Sequence, residues 1–440
     1  MLRLVMLMLF GLLFASAAQA QSNPAYIQLG QAKGVLYKPD AGPAPHVGIV
    51  LIHRVANYLS HIACTEFSKR GFMVLCMNSR FDNNEVRVVF EQIALDVKAG
   101  VELLKKQPGI DKIVLFAHSG GGPTLSFYQA VAENGVAYCQ DPHRLSRCDD
   151  NLAGLPRADA IVYADAHPGY PMTILRGFNP SIVDENDLTK IDKSLDPFDP
   201  SNGYNPNGAS RYSPEFQKRY FEAESARMNR LIDRALAIKA RMAKGDYPYR
   251  DNDLIVIPRG GNPVGGPGGV ASLHVLDPSL EAIMWTSRPQ KMIRNDASVV
   301  TEIVKSVARP DPKQRESNMT FDTGTKLYSV VSFLSSMAVR STNALDGIDH
   351  CSSNNSTICA VQSISVPSVF YAMGASSFVR DNELMFDRAK SADKDYFAIE
   401  GALHPFTPCV PCQAKPGQYS NTVQNLFDHA AAWINKRMSN

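Results

Sequence analysis

A serine hydroxyl becomes a nucleophile only where a base takes its proton and donors wait for the charge its attack creates. Ser119 stands in Val114-Leu-Phe-Ala-His-Ser-Gly-Gly-Gly-Pro123, with small residues two before it (Ala117) and two after it (Gly121). A serine held on a sharp strand-to-helix turn has a strained backbone, and larger side chains at those two places collide with the helix that follows. Ala117 in place of glycine loosens the match to G-x-S-x-G, but an apolar run precedes the motif and a helical pattern follows it. The plain alternative is a glycine-rich turn with an incidental serine.

The base candidate is His404, in Ile399-Glu-Gly-Ala-Leu-His404-Pro-Phe. It follows an apolar run late in the chain, and the Gly401-x-x-His404 spacing makes a tight loop that can bring an imidazole over Ser119. His118 and His167 lie near the same region. His118 is expected to pack beneath the serine or to line the substrate pocket, and His167 sits in a Pro-Gly turn. No His-Glu-x-x-His or clustered carboxylate pattern points to a catalytic metal, and no cofactor is expected.

These residues need a frame. Val47–Ile52, Phe72–Cys76, Lys112–Phe116, Ala160–Ala164, Val366–Met373 and Tyr396–Ile399 are apolar runs of the kind that parallel strands buried on both faces show. Tyr26 to Tyr37 suggests one or two edge strands. Helical patterns lie between the runs at about 59–70, 85–106, 123–133 and 381–391, and a last one covers 419–437. Alternating strands and helices predict an α/β fold, a doubly wound and mainly parallel sheet. From about 169 to 363 the chain turns rich in Pro, Asn, Gly and Asp. One long helix stands out there, capped by Ser213, opened by Pro214 and stopped by Gly245. We read 21–168 and 364–440 as the core and 169–363 as a large, mostly helical and irregular cap insertion. The glycine-rich loop 260–269 lacks the strand-before, helix-after context of a phosphate cradle.

Over roughly 47–164 and 366–436 the chain resembles the α/β-hydrolase superfamily, nearest to its dienelactone hydrolase and lipase/esterase branches. The resemblance implies the chain order Ser, acid, His, with the histidine after the last core strand, where His404 stands. It also implies an oxyanion hole. One donor would be the Gly120 N–H, and the second a backbone N–H of Arg54 or Val55 after the first core strand. Where the family often has His-Gly, this chain has His53-Arg54; the Arg54 side chain is either solvated or binds an acidic part of the substrate. The family's Gly-x-x-Asp position is Gly374-Ala-Ser-Ser377 here, with serine in the acid's place. Three carboxylates remain in this order: Asp381, then Asp165 from the end of the preceding strand, then Glu383. Each has an ordinary alternative, as helix cap, loop tie or first-turn partner of the helix dipole.

The implied activity is cleavage of a carboxylic ester through an acyl-enzyme, on a small-molecule or polymer substrate. A lactonase, amidase or peptidase uses the same machinery. An inactive exported binding protein is the reading that the serine at position 377 favours.

The bulk properties narrow the setting. Arg3, an apolar run to about Ala17 and Ala18-Gln19-Ala20 read as a signal peptide over 1–20. An exported chain, periplasmic or secreted, with no membrane span after cleavage is the expectation. With 45 basic and 43 acidic residues the net charge is +2, and no basic block suggests a nucleic-acid partner. Eight cysteines in an exported chain invite disulfides. Cys139 with Cys148, Cys351 with Cys359 and Cys409 with Cys412 lie close in sequence, while Cys64 and Cys76 form either a fourth bridge or two buried thiols.

Overall fold

The structure is a computed structural model, and it describes residues 24–39, 42–249, 253–258, 273–308 and 325–439. The expected signal peptide and the 260–269 loop lie outside the described residues.

Each apolar run forms a strand: β3 Val47–His53, β4 Met73–Asn78, β5 Lys112–Ser119, β6 Ala160–Ala166, β11 Ser368–Met373 and β12 Lys394–Ile399. They join one ten-stranded sheet ordered β1-β2-β4-β3-β5-β6-β11-β12-β8-β9. β1 (Ala25–Leu29) and β2 (Ala32–Tyr37) make the expected edge hairpin, and β2 runs antiparallel to β4. From β4 to β8 every neighbouring pair is parallel. Neighbours that are parallel cannot be joined by a tight turn, so helices cross both faces.

The continuous apolar runs follow from burial on two sides. In β3, Val50 and Ile52 face a core that includes Ile93, Val97 and Leu125, while Ile49 and Leu51 face one built on Phe67, Phe427 and Ile434. The first layer holds helices α2 (Ile93–Lys105) and α3 (Gly121–Asn134); the second holds α1 (Ile62–Lys69) and the C-terminal helix Thr422–Met438. Each fully buried leucine or isoleucine contributes about 1.5–3 kcal/mol.

Two sequence expectations are corrected. The pattern over 85–106 predicts one helix, yet the helix begins only at Ile93, and short 3₁₀ turns take up Glu85–Arg87 and Phe90–Gln92. Tertiary bonds compete with the helix there. The Phe90 N–H donates to Ser335 Oγ at 2.7 Å, and the buried Glu91 accepts from Ser335 and Asn354 at 2.6 and 2.9 Å. The second correction concerns 169–363. β8 (Gln290–Ile293) and β9 (Val299–Glu302) arise within it but extend the central sheet, β8 lying parallel to β12.

The rest of that segment has its own core. Met172, Phe178, Phe216, Tyr220, Ile232 and Phe333 belong to a third apolar cluster. Its spine is the helix Pro214–Lys244, where Ser213 Oγ accepts the Phe216 N–H at 3.2 Å and Gly245 takes φ 74° at the far end. A two-stranded sheet of β7 (Leu254–Ile257) and β10 (Lys326–Ser329) packs with it.

All eight cysteines are bridged, as Cys64–Cys76, Cys139–Cys148, Cys351–Cys359 and Cys409–Cys412. The first pair ties α1 to β4. No helix among the described residues is long and apolar enough to cross a membrane.

Candidate active site

Ser119 ends β5, and its φ of 54° puts it in the left-handed region that costs a non-glycine residue strain. The turn is held from both sides. The His167 N–H donates to the Ser119 carbonyl at 2.9 Å, and α3 starts two residues later at Gly121. A Cβ on Gly121 would stand 2.6 Å from the Ile52 carbonyl oxygen, so only glycine lets the helix approach β3 this closely.

The β5–β6 register slips at this point. His118 pairs with Ala164 but Ser119 pairs with Ala166, which leaves Asp165 as the extra residue. Asp165 has φ 45° and is fully buried. The irregularity re-aims its side chain, as bulges do. Asp165 Oδ2 accepts from His404 Nδ1 at 2.6 Å and from Ser376 Oγ at 2.6 Å; Oδ1 accepts the Met373 N–H at 3.2 Å. An ionised carboxylate only accepts, so the His404 proton on this side sits at Nδ1 and Nε2 is left bare.

Asp381, placed first by sequence, is elsewhere. Both of its oxygens accept from Arg176 Nη1, at 3.1 and 3.0 Å, and both side chains are buried. Glu383 accepts from the Ser287 N–H and hydroxyl and from Gln290, which fastens the strand β8 region to the helix Val379–Arg388. Neither carboxylate bonds His404. Sequence order had pointed past β11, whereas the bulge that exposes Asp165 to the imidazole is invisible in an apolar run. The serine expected to signal a missing acid lies beside Ser376, which supports Asp165 instead.

Five imidazoles crowd the serine. Their tautomers follow from their partners. His61 Nδ1 accepts the Ala63 N–H at 3.2 Å, so its Nε2–H donates to His118 Nδ1 at 3.0 Å. His118 Nε2–H in turn donates to the His404 carbonyl at 3.0 Å. The Tyr58 hydroxyl also meets His118 Nδ1, at 2.9 Å, and interacts with the Ser119 hydroxyl. His118 therefore holds the backbone of His404. Sequence gave it a pocket or packing role, and nothing marked its tie to His404.

Burial keeps the four supporting rings neutral. It pushes His53 down to about 3, with Arg54, His404 and His61 adding to the effect, and His61 down to about 4, with His404 adding. His118 and His167 fall well below the usual histidine value, again through burial first and His404 second.

Of the two backbone donors expected after the first core strand, Arg54 and Val55, one is taken up inside the loop itself. The Val55 N–H is already used, donating to His53 Nδ1 at 3.1 Å, and the Ala56 N–H donates to the same nitrogen at 2.8 Å. Gly120, the other expected donor, lies against the His53 ring. The Arg54 side chain is buried rather than solvated. Its Nη2 bonds both Glu85 oxygens at 3.0 Å, its guanidinium lies 4.4 Å over the Tyr170 ring, and Nη1 has no partner among the described residues. Among the described residues no group of three or more His, Cys, Asp or Glu side chains could hold a metal ion, Cys409 and Cys412 included.

A mainly parallel sheet with β2 reversed, a strained serine between β5 and α3, and a histidine loop after the last long strand are now in place. The chain has an α/β-hydrolase fold. No family model matches its sequence, and no curated protein does. Solved structures similar to it include the α/β-hydrolase GrgF from Penicillium sp. sh18, at 12% identity over 95% of this chain and 99% of that one, with a TM-score of 0.42. Est1E from Butyrivibrio proteoclasticus is 10% identical over 95% and 99%, with a TM-score of 0.41. A proline iminopeptidase from Mycobacterium smegmatis is 11% identical over 94% and 98%, with a TM-score of 0.38.

Proposed function

We propose that the protein is an exported serine hydrolase that cleaves a carboxylic ester through an acyl-enzyme, with Ser119 as nucleophile, His404 as base and Asp165 as the residue that orients His404. The observation that carries this reading is the 2.6 Å bond between His404 Nδ1 and the buried Asp165 carboxylate, beside a serine held at φ 54°. With Nδ1 occupied, Nε2 takes the proton of Ser119 as Oγ attacks the ester carbonyl, and Asp165 stabilises the imidazolium that forms. The same nitrogen returns the proton to the leaving alcohol. Water then repeats the sequence on the acyl group and frees Ser119. Four neutral imidazoles around His404 suit this role, since a second positive charge beside the imidazolium would oppose its formation. The complete carboxylate–imidazole pair speaks against an inactive binding protein. The signal-like N-terminus and four disulfides suit export to an oxidising compartment.

A fluorophosphonate probe should label the wild type and leave Ser119→Ala unlabelled, and p-nitrophenyl acetate should be turned over by the former alone. A folded wild type that neither takes the label nor cleaves the ester would sink this reading.

A further inference from the structure

The loop after β3 presents a side chain beside the backbone groups expected to donate there. His53 Nδ1 accepts two backbone N–H groups, from Val55 at 3.1 Å and Ala56 at 2.8 Å. A ring nitrogen that accepts carries no hydrogen, so in the neutral imidazole the proton sits on Nε2. The two amides thereby fix the tautomer. Nε2 has no partner of its own among the described residues, and the ring is only half-buried. It stands at the residue that follows the nucleophile: a Cβ on Gly120 would be 2.5 Å from His53 Nε2. Glycine at position 120 thus makes room for this ring, beside the residue whose N–H the resemblance implies as an oxyanion donor.

From this geometry we infer that His53 is a catalytic residue, the side-chain donor of the oxyanion hole, acting through Nε2–H together with the Gly120 N–H. The inference rests on the serine-hydrolase reading. As Ser119 Oγ bonds to the carbonyl carbon, the carbon–oxygen π pair moves onto oxygen, and the Ser119 proton goes to His404 Nε2. His53 keeps its own proton throughout and only hydrogen-bonds the anion. Burial, the first cause of its depressed basicity, holds the ring neutral at working pH. A neutral donor in a half-buried site stabilises the charge as it forms and is already oriented before it forms.

Two substitutions separate this role from a structural one. Asn at 53 places an oxygen where Nδ1 was, so it keeps the acceptor for Val55 and Ala56 in an Asx-type turn but has nothing at Nε2. Gln does the reverse: it carries an N–H to the Nε2 position and gives up the short-range acceptor. His53→Asn should lower kcat by about 10²–10³ with KM little changed, at a melting temperature close to wild type. It should weaken binding of an alkyl trifluoromethyl ketone, which forms a tetrahedral adduct on Ser119, by a similar factor. His53→Gln should keep more of both and melt earlier. His53→Asn with kcat and ketone affinity within a few-fold of wild type would overturn the assignment, and so would His53→Gln weaker than His53→Asn in ketone affinity. Fluorophosphonate labelling of wild type, lost in Ser119→Ala, tests the hydrolase reading separately from these variants.

Discussion

Asp165 and Asp381 are both buried carboxylates, and neutralising each should have opposite consequences. Asp165→Asn leaves the shape intact but lets the amide donate to His404, which stabilises the wrong tautomer. We expect kcat to fall by about 10⁴ with a near-native melting curve. Asp381→Asn removes the negative charge that faces the Arg176 guanidinium in a buried pair. That should cost about 3–5 kcal/mol in urea unfolding while fluorophosphonate labelling persists. If Asp381→Asn abolished turnover and Asp165→Asn did not, the acid would be misassigned. Sequence could single out Ser119 and His404 as candidates because a strand-turn-helix pattern and a late Gly-x-x-His loop are local features. Asp165 was readable only as one carboxylate among three. What selects it is a one-residue slip between β5 and β6, set by pairing across 46 residues of chain. The Nδ1 commitment of His53 was equally hidden, since it depends on where two amides of a folded loop point.

At the scale of elements, α1, the β5 terminus and the loop after β12 are joined through the chain His61–His118–His404. His118→Phe keeps the packing and deletes the bond to the His404 carbonyl. We expect kcat to drop by roughly 10-fold or more from a misplaced imidazole, with the native fold retained by circular dichroism. The imidazoles gathered around the serine also make stability depend on acidity. The ordinary histidine value is 6.5, while the folded values of His53 and His61 are about 3 and about 4. Between pH 6.5 and 4 these two residues therefore bind more protons in the unfolded chain than in the folded one, and what they contribute to stability falls as pH falls through that window. Above pH 6.5 the contribution is complete. Calorimetric melts at constant ionic strength should move down steadily from pH 7 to pH 4; a melting temperature that is level over that range would contradict rings held neutral in the fold. The strands were the most legible elements because burial on two faces leaves an unbroken apolar run. The helix over 85–106 was misjudged for a reason no periodicity contains. Phe90 and Glu91 find partners at Ser335 and Asn354, more than 240 residues away along the chain.

For the whole molecule, the bridges matter more than their short loops suggest. Cys64 and Cys76 are fully buried and link α1 to β4 beside Tyr58 and His61. Replacing both by alanine should lower unfolding free energy by about 2–4 kcal/mol; an unchanged urea midpoint would show that packing alone holds α1 in place. Composition shifts near position 169, yet it could not show that the chain returns to the sheet before position 363. β8 and β9 are short and lie inside a Pro- and Gly-rich region, so nothing in their length distinguishes them from loop.

That return has a practical consequence for anyone exchanging specificity modules between proteins of this architecture. Arg294, at the end of β8, bonds Glu400 at 2.7 Å, and the Asn295 N–H bonds the same carboxylate at 2.9 Å. Glu400 opens the turn that leads to His404. A graft cut at the compositional borders would discard this brace together with the strand that covers β12, exposing a sheet edge prone to pairing with other chains. A chimera that swaps only the stretch before Thr286 and the stretch after Val304 would carry a foreign pocket on an intact scaffold.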